Sequence, residues 1–417
     1  MRALWFCNVP TYDVWRIDRH DEPHHGGWID SLKNAMLSSY PDLELGIAFP
    51  AMRLRKRLAV GRVTLFPILY RRSILVRGFT NWRHLTDPLS TISICTEIVR
   101  WYKPDIVHVF GTEMVFGSLI PEIDVPTTIH LQGLLTVYSR MWFRGISPWR
   151  HLRHQRFLDF LLGRGYIHDY LRIKKAARRE RDILGNCRSV IGRTDWDRRV
   201  SSILAPHARY FHCDETMRRE FWEKEWHPPK RKERVLFSTF NGAIYKGLET
   251  LLEAFNLVRM RYGDCVILKI AGIGCNDRVV SLSRKVLSLK RDDARVVYLG
   301  SVNAGEVANE LAEADVFVHP SHIDNSPNSI CEAMLVGTPL VSTNAGGIPS
   351  IVVNNEQGLL VQDGDAIAMA AAIMELLSNE AFAGMLSRSA RACAQMRHAP
   401  EQISAIVYSI YSQMLQK

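Results

Sequence analysis

The chain has 417 residues, 47% hydrophobic and 23% charged, which is ordinary globular usage and excludes disordered, collagen-like and disulfide-scaffold classes. That length suits two domains better than one, and no apolar run approaches the roughly 18 residues of a membrane-spanning helix. The net charge is +10 and uneven: residues 235–417 carry net −4 and residues 1–234 net +14, which points the first half toward an anionic partner.

The opening MRALWFCNVP is too short in apolar content for a signal peptide and reads as a first strand, Arg2 to Val9. A polar loop follows to His25, and Gly26-Gly27-Trp28 leads into a helix ending near Ser39. LELGIAF (43–49) and VTLFPIL (63–69) read as buried strands, and a helix over 88–102 precedes the strand DIVHVFG (105–111). TTIHLQG (127–133), SVIGRT (189–194) and RYFHC (209–213) continue an alternation that implies a parallel sheet covered on both faces. His227-Pro228-Pro229-Lys230-Arg231-Lys232 reads as a linker, because paired prolines and a charge cluster cannot join a central strand. Beyond it, VLFST (235–239), VILKIAG (266–272), VVYLG (296–300), VFVHPS (316–321) and LVSTN (340–344) are strands between helices. The helix after Lys246-Gly247 carries Leu248, Leu251, Leu252 and Phe255 at i, i+3, i+4 and i+7. The expected organisation is a first α/β domain over 1–226, a linker over 227–234 and a second, doubly wound domain over 235–398. A final helix within 399–417 is expected to pack back on the first domain.

The cysteines, from Cys7 to Cys393, form no CxxC pair, so zinc and thioredoxin-like readings lack support. Reduced thiols in a cytoplasmic protein are the expectation.

The most informative window is His319 to Val352, HPSHIDNSPNSICEAMLVGTPLVSTNAGGIPSIV. A strand delivers a loop and the loop enters a helix. Ser326 is placed to cap that helix and Pro327 to take its first position, while Gly337 and Pro339 end it. The backbone N–H groups around Asn328 and Ser329 then form an anion site at the carboxyl edge of a sheet. Asp324 and Glu332, spaced D-x7-E, flank the helix start. A lysine at a helix N-terminus opposes the dipole, so Lys246 suggests an anionic ligand. His319 and His322 lie near Asp324, but their spacing fits no zinc motif, and no metal is expected.

This window resembles the E-x7-E region of the family 4 retaining glycosyltransferases. Lys246-Gly247 and the AGIG stretch with Gly272 and Gly274 extend the resemblance over most of 235–390. Gly26-Gly27-Trp28, GTEMVFG, IHLQGL, GRTDWD and HCDETMR resemble a subgroup acting on bacterial surface polysaccharides. The resemblance implies a GT-B fold, two Rossmann-like domains facing across a cleft, with the acceptor on the first and a nucleotide-diphosphate sugar on the second. It implies that Glu332 accepts from the donor ribose hydroxyls, that Asp324 contacts the transferred sugar, and that Lys246 neutralises the leaving diphosphate. Asn328, Ser329, Gly272 and Gly274 would line the donor site, and Gly26 and Gly27 the first-domain side of the cleft. No cofactor is implied; the nucleotide sugar is a co-substrate.

Two positions depart from the family pattern. Asn241 stands where an arginine is usual, and no Lys or Arg occurs between Arg295 and Arg388; Arg193 is a candidate replacement. At the family's first-domain histidine the strand reads I-H-L-Q-G, and either His130 or Gln132 takes the site. Segment 139–182 interleaves aromatic with basic side chains. It reads either as a solvated basic helix pair or as an interfacial element touching anionic lipid or a lipid-linked acceptor. No nucleic-acid motif accompanies the charge. The expected function is transfer of a sugar to a saccharide or lipid-linked saccharide, in the cytoplasm or at the inner face of the membrane. The alternatives are a nucleotide-sugar epimerase of the same fold and a non-catalytic sugar-binding scaffold.

Overall fold

The structure, a computed structural model, describes residues 1–12, 14, 27–69, 88–154, 165–289 and 293–416. Gly26, most of the polar loop before it and residues 155–164 of the basic segment lie outside the described residues. The chain forms two units: one of residues 1–140, 155–216 and 399–417, the other of residues 141–154 and 217–398.

Among the described residues the first unit is built on eight strands: β1 (Arg2–Phe6), β2 (Glu44–Ala51), β3 (Leu58–Val60), β4 (Val63–Leu69), β5 (Ile106–Phe110), β6 (Thr127–His130), β7 (Ser189–Gly192) and β8 (Arg209–His212). Their order is β3-β4-β2-β1-β5-β6-β7-β8, and every pairing is parallel except the short edge strand β3 against β4. Ala3, Leu4, Trp5 and Phe6 are fully buried, as a central strand covered on both faces requires. One face is covered by the helices Gly27–Ser39 and Pro400–Leu415. The second of these presents Ile403, Val407, Ile410 and Tyr411 to the core, at a helical repeat. Tyr408 stacks on Tyr40, ring centroids 3.8 Å apart.

The second unit has six parallel strands: β9 (Arg234–Thr239), β10 (Val266–Ala271), β11 (Val296–Gly300), β12 (Val316–His319), β13 (Leu340–Thr343) and β14 (Leu359–Val361). Their order is β11-β10-β9-β12-β13-β14, so the strand order reverses between β9 and β12. The helix Leu248–Tyr262 buries Leu248, Leu251, Leu252, Phe255 and Val258.

The passage between units falls after Thr216, not over 227–234. Met217, Phe221 and Trp226 are core residues of the second unit, and the Trp226 indole donates to the Ala314 carbonyl at 2.7 Å. Arg231 and Arg234 then both reach Asp315, at 2.8 and 2.9 Å. The proline pair marks a surface segment anchored to this unit rather than a free connection. Residues 141–154, read from the sequence as one piece with the basic helix that follows, also belong to the second unit.

Candidate functional site

Ligands of open parallel sheets bind beyond the carboxyl ends of the strands where the order reverses. In the second unit that edge is made by the loops after β9, β10 and β12. Their close approach depends on glycine. Gly272 has φ +87°, and a Cβ there would stand 2.0 Å from the Phe240 carbonyl oxygen; Gly247 has φ +73°, and a Cβ would stand 2.1 Å from that of Pro320. The His322 N–H donates to the Tyr245 carbonyl at 2.9 Å and ties the loop of Lys246 to the loop of Asp324.

Those two residues meet. The Lys246 ammonium donates to Asp324 Oδ2. His319, the last residue of β12, brings Nε2 to 3.2 Å from the same oxygen, and the Asn325 N–H donates to Oδ1 at 3.1 Å. Burial opposes ionisation of Asp324, but Lys246 and His319 together outweigh it and hold the carboxyl well below the usual carboxylate range. Burial also lowers His319, with Asp324 offsetting it in part, so the ring is neutral at pH 7. A neutral ring facing a carboxylate carries its proton on the facing nitrogen. His319 Nδ1 therefore accepts from the Ser329 hydroxyl, 3.4 Å away.

Ser329 belongs to the helix Asn328–Val336. Its N-cap is Pro327, with no side-chain capping bond, so the capping role expected of Ser326 is not taken up and Pro327 stands one place before the helix. The proline fixes φ at −70° and needs no N–H. The helix ends at Gly337 in the left-handed region. Its first N–H groups precede any intrahelical partner. Glu332, one turn on, pairs with Arg218 at 2.8 Å; burial raises its pKa and Arg218 draws it back. Asn241 turns its amide oxygen to the Ala243 N–H at 3.2 Å, and the Gly274 N–H donates to Asp277 at 2.9 Å. The 141–154 segment lies against the same edge. Arg144 pairs with Asp363 at 3.0 Å, and Gly145 packs on the His322–Glu249 pair, itself 2.6 Å long.

In the first unit the reversal falls between β1 and β5. A chain of buried groups runs through its core: Trp5 Nε1 donates to Tyr411 Oη at 2.9 Å, Tyr411 Oη lies 2.6 Å from His108 Nδ1, and His108 Nε2 lies 3.2 Å from His130 Nδ1. Indole can only donate, so the tyrosine accepts there and satisfies its own proton on His108. Both histidines then carry hydrogen on Nε2, and that of His130 is buried without a hydrogen-bond partner among the described residues. Burial pushes His108 down to about 3 and His130 well below its ordinary value. His130 meets the Trp28 ring edge-on at 5.2 Å. Arg193 lies over the other reach of Trp28 at 4.2 Å and pairs with fully buried Glu215 at 3.4 Å. Gln132 exchanges amide hydrogen bonds with Asn8 at 3.2 and 3.4 Å, and Gly27 begins the helix that carries Trp28.

The sequence reading missed several of these groups. Arg218 sits in the quoted HCDETMR phrase without a role, and His108 inside an apolar strand was itself a signal of a buried polar network. Glu180 accepts from Thr112, Leu135 and Thr136 at 2.6–2.9 Å, which binds three segments together. Beside it, Glu113 has one oxygen on the Gly133 N–H at 3.2 Å and the other buried and, among the described residues, unpartnered; burial pushes its carboxyl up to about 7.

Comparison with solved structures shows the GT-B fold. Sucrose-phosphate synthase of Thermosynechococcus elongatus superposes over 100% of this chain and 99% of its own with a TM-score of 0.72 at 16% identity. Anabaena HepE in complex with UDP and glucose superposes over 99% of both chains at 0.65 and 16% identity. Residues 233–379 match the family model described as Glycosyl transferases group 1. The amylovoran biosynthesis glycosyltransferase AmsK of Erwinia amylovora is 33% identical over 153 residues, 35% of this chain and 37% of its own. The putative colanic acid biosynthesis glycosyltransferase WcaL of Salmonella typhimurium is 30% identical over 158 residues, 36% of this chain and 38% of its own. The matched stretches thus span little more than a third of those relatives' length.

Proposed function

We propose that the protein is a retaining glycosyltransferase, moving a sugar from a nucleotide-diphosphate sugar to a saccharide or lipid-linked saccharide in surface polysaccharide synthesis. The observation that carries this reading is the Lys246–Asp324–His319–Ser329 network at the start of the helix bearing Glu332, all inside the matched domain. The names of AmsK and WcaL support the polysaccharide class, and the UDP and glucose of HepE support the donor class.

In this reading Glu332 accepts from the ribose hydroxyls, since an ionised carboxylate suits a vicinal diol. Lys246 and the N–H groups of Asn328 and Ser329 face the diphosphate, where charge grows as it departs. Gly272 and Gly274 leave room for the nucleotide. Asp324 faces the sugar, with its position set by His319 and Lys246. The acceptor oxygen bonds to the anomeric carbon on the face the diphosphate leaves, and the departing phosphate oxygen takes the acceptor proton. Configuration is retained, and neither a metal nor a cofactor enters. The first unit holds the acceptor, with Gly27 and Gln132 among the groups that would meet sugar hydroxyls. No single described helix is long and apolar enough to cross a membrane. A peripheral contact with anionic lipid is supported by the helix Pro148–His154, where Trp149 is 79% exposed beside exposed Arg150 and Arg153.

The test is incubation with UDP-, GDP- and ADP-sugars and a lipid-linked saccharide fraction, followed by mass spectrometry and anomeric NMR. A product one sugar heavier, with the donor's anomeric configuration, is expected. An epimer formed from donor alone would replace transfer by epimerisation. Nucleotide binding without turnover would favour the scaffold, which the exchange at Asn241 would then explain.

A further inference from the structure

Around Asp324 and Glu332, two cations are each committed to a carboxylate. Lys246 is paired with Asp324 and Arg218 with Glu332, while His319 is held neutral by burial. A nucleoside diphosphate brings about three negative charges, and its sugar ester about two, into this enclosed place, so binding calls on cations already committed to protein carboxylates. Asn241 adds none, and its amide is engaged in its own loop. Arg193, the replacement suggested by sequence, is 2% exposed and held in the first unit between Glu215 and Trp28.

Arg218 is differently placed. It touches Glu332, the fifth residue of the helix Asn328–Val336, whose backbone stands about 6 Å along the axis from the helix's first residue. Its side chain is 21% exposed, and Glu332 Oε1 is the carboxylate atom it holds. Ribose hydroxyls binding both oxygens of Glu332 would displace it.

We propose, resting on the donor-site reading above, that Arg218 is the second basic group of this site. When the ribose diol takes Glu332, Arg218 passes from that carboxylate to the donor's diphosphate. The Arg218–Glu332 ion pair is then a holding position for the guanidinium. The exchange gives selectivity: a nucleoside alone must break the ion pair without providing a phosphate to receive Arg218, whereas a nucleoside diphosphate provides it.

The experiment uses the full chain at pH 8. UDP, GDP and ADP are titrated calorimetrically, and the nucleoside of whichever binds is titrated in competition. The variants are Arg218→Gln and Arg218→Lys, with thermal unfolding confirming their fold. Arg218→Gln is expected to weaken the diphosphate about tenfold or more and leave the nucleoside at or above its original affinity; Arg218→Lys is expected to recover part of the diphosphate affinity. Equal loss for both ligands would make Arg218 a fixed support for Glu332 and overturn the exchange. Unchanged binding of both would overturn it as well. Failure of the unaltered protein to bind any of the three would overturn the donor-site reading itself.

Discussion

Through its core the first unit buries rings in series, Tyr411 to His108 midway along β5 to His130 at the carboxyl end of β6, both histidines neutral. At the corresponding ends of β9, β10 and β12 the second unit gathers Lys246, Asp324, Arg218 and Glu332 in ion pairs. Strand order reverses in the same way in both sheets, so architecture alone does not assign a ligand. The difference lies in the groups set on it. Neutral fixed donors suit hydroxyl-bearing molecules, which need orientation and no charge compensation. Paired cations beside open helix N–H groups suit a ligand that arrives with its own negative charge.

The comparison is broken most easily at Lys246. Lys246→Ala should lower turnover about a hundredfold, as for loss of one group aimed at developing charge, while nucleotide affinity falls far less. A variant whose affinity fell as much as its turnover would make Lys246 a binding residue only. Glu332→Ala should weaken nucleotide binding about tenfold; full activity and affinity in that variant would remove the second unit's assignment. In the first unit Tyr411→Phe deletes one buried hydroxyl between Trp5 and His108. It should cost about 1–2 kcal/mol of unfolding free energy and leave nucleotide affinity unchanged. Imidazole 15N shifts should show His108 and His130 protonated on Nε2 in the unaltered protein, and a mixture at His108 in the variant.

The smallest effects concern pH, and they have opposite signs within the first unit. His108 falls from 6.5 to about 3 on folding, so the unfolded chain binds the extra proton and acidification from 6.5 toward 3 destabilises the native state. Glu113 rises from 4.5 to about 7. The native state then holds the extra proton, so its contribution is full below 4.5 and is lost as pH rises through 7. Glu113→Gln should therefore stabilise the protein more at pH 8 than at pH 5, as read from denaturant midpoints. A pH-independent effect would contradict the burial of that carboxyl.

Much of this was legible in the sequence because it is written locally. The apolar strands, the glycines at loop crossings and the helix stop at Gly337 each depend on residues a few places apart. Asp324 and Lys246 could be named but not joined, since 78 residues separate them and only the β9–β12 pairing brings their loops together. Arg218 and Tyr411 were illegible for the same reason, their partners lying 114 and 303 residues away. The boundary at Thr216 escaped because a proline pair marks any exposed segment, whereas the burial of Met217, Phe221 and Trp226 decides which core the chain has joined.

The central claim is that the second unit's strand ends bind a nucleoside diphosphate through paired charges. Calorimetric titration with UDP, GDP and ADP, each with and without EDTA, tests it most directly. The account predicts micromolar binding of one nucleotide, unaffected by EDTA and reduced in Glu332→Ala. Binding by none of the three, or binding that Glu332→Ala leaves intact, would contradict it.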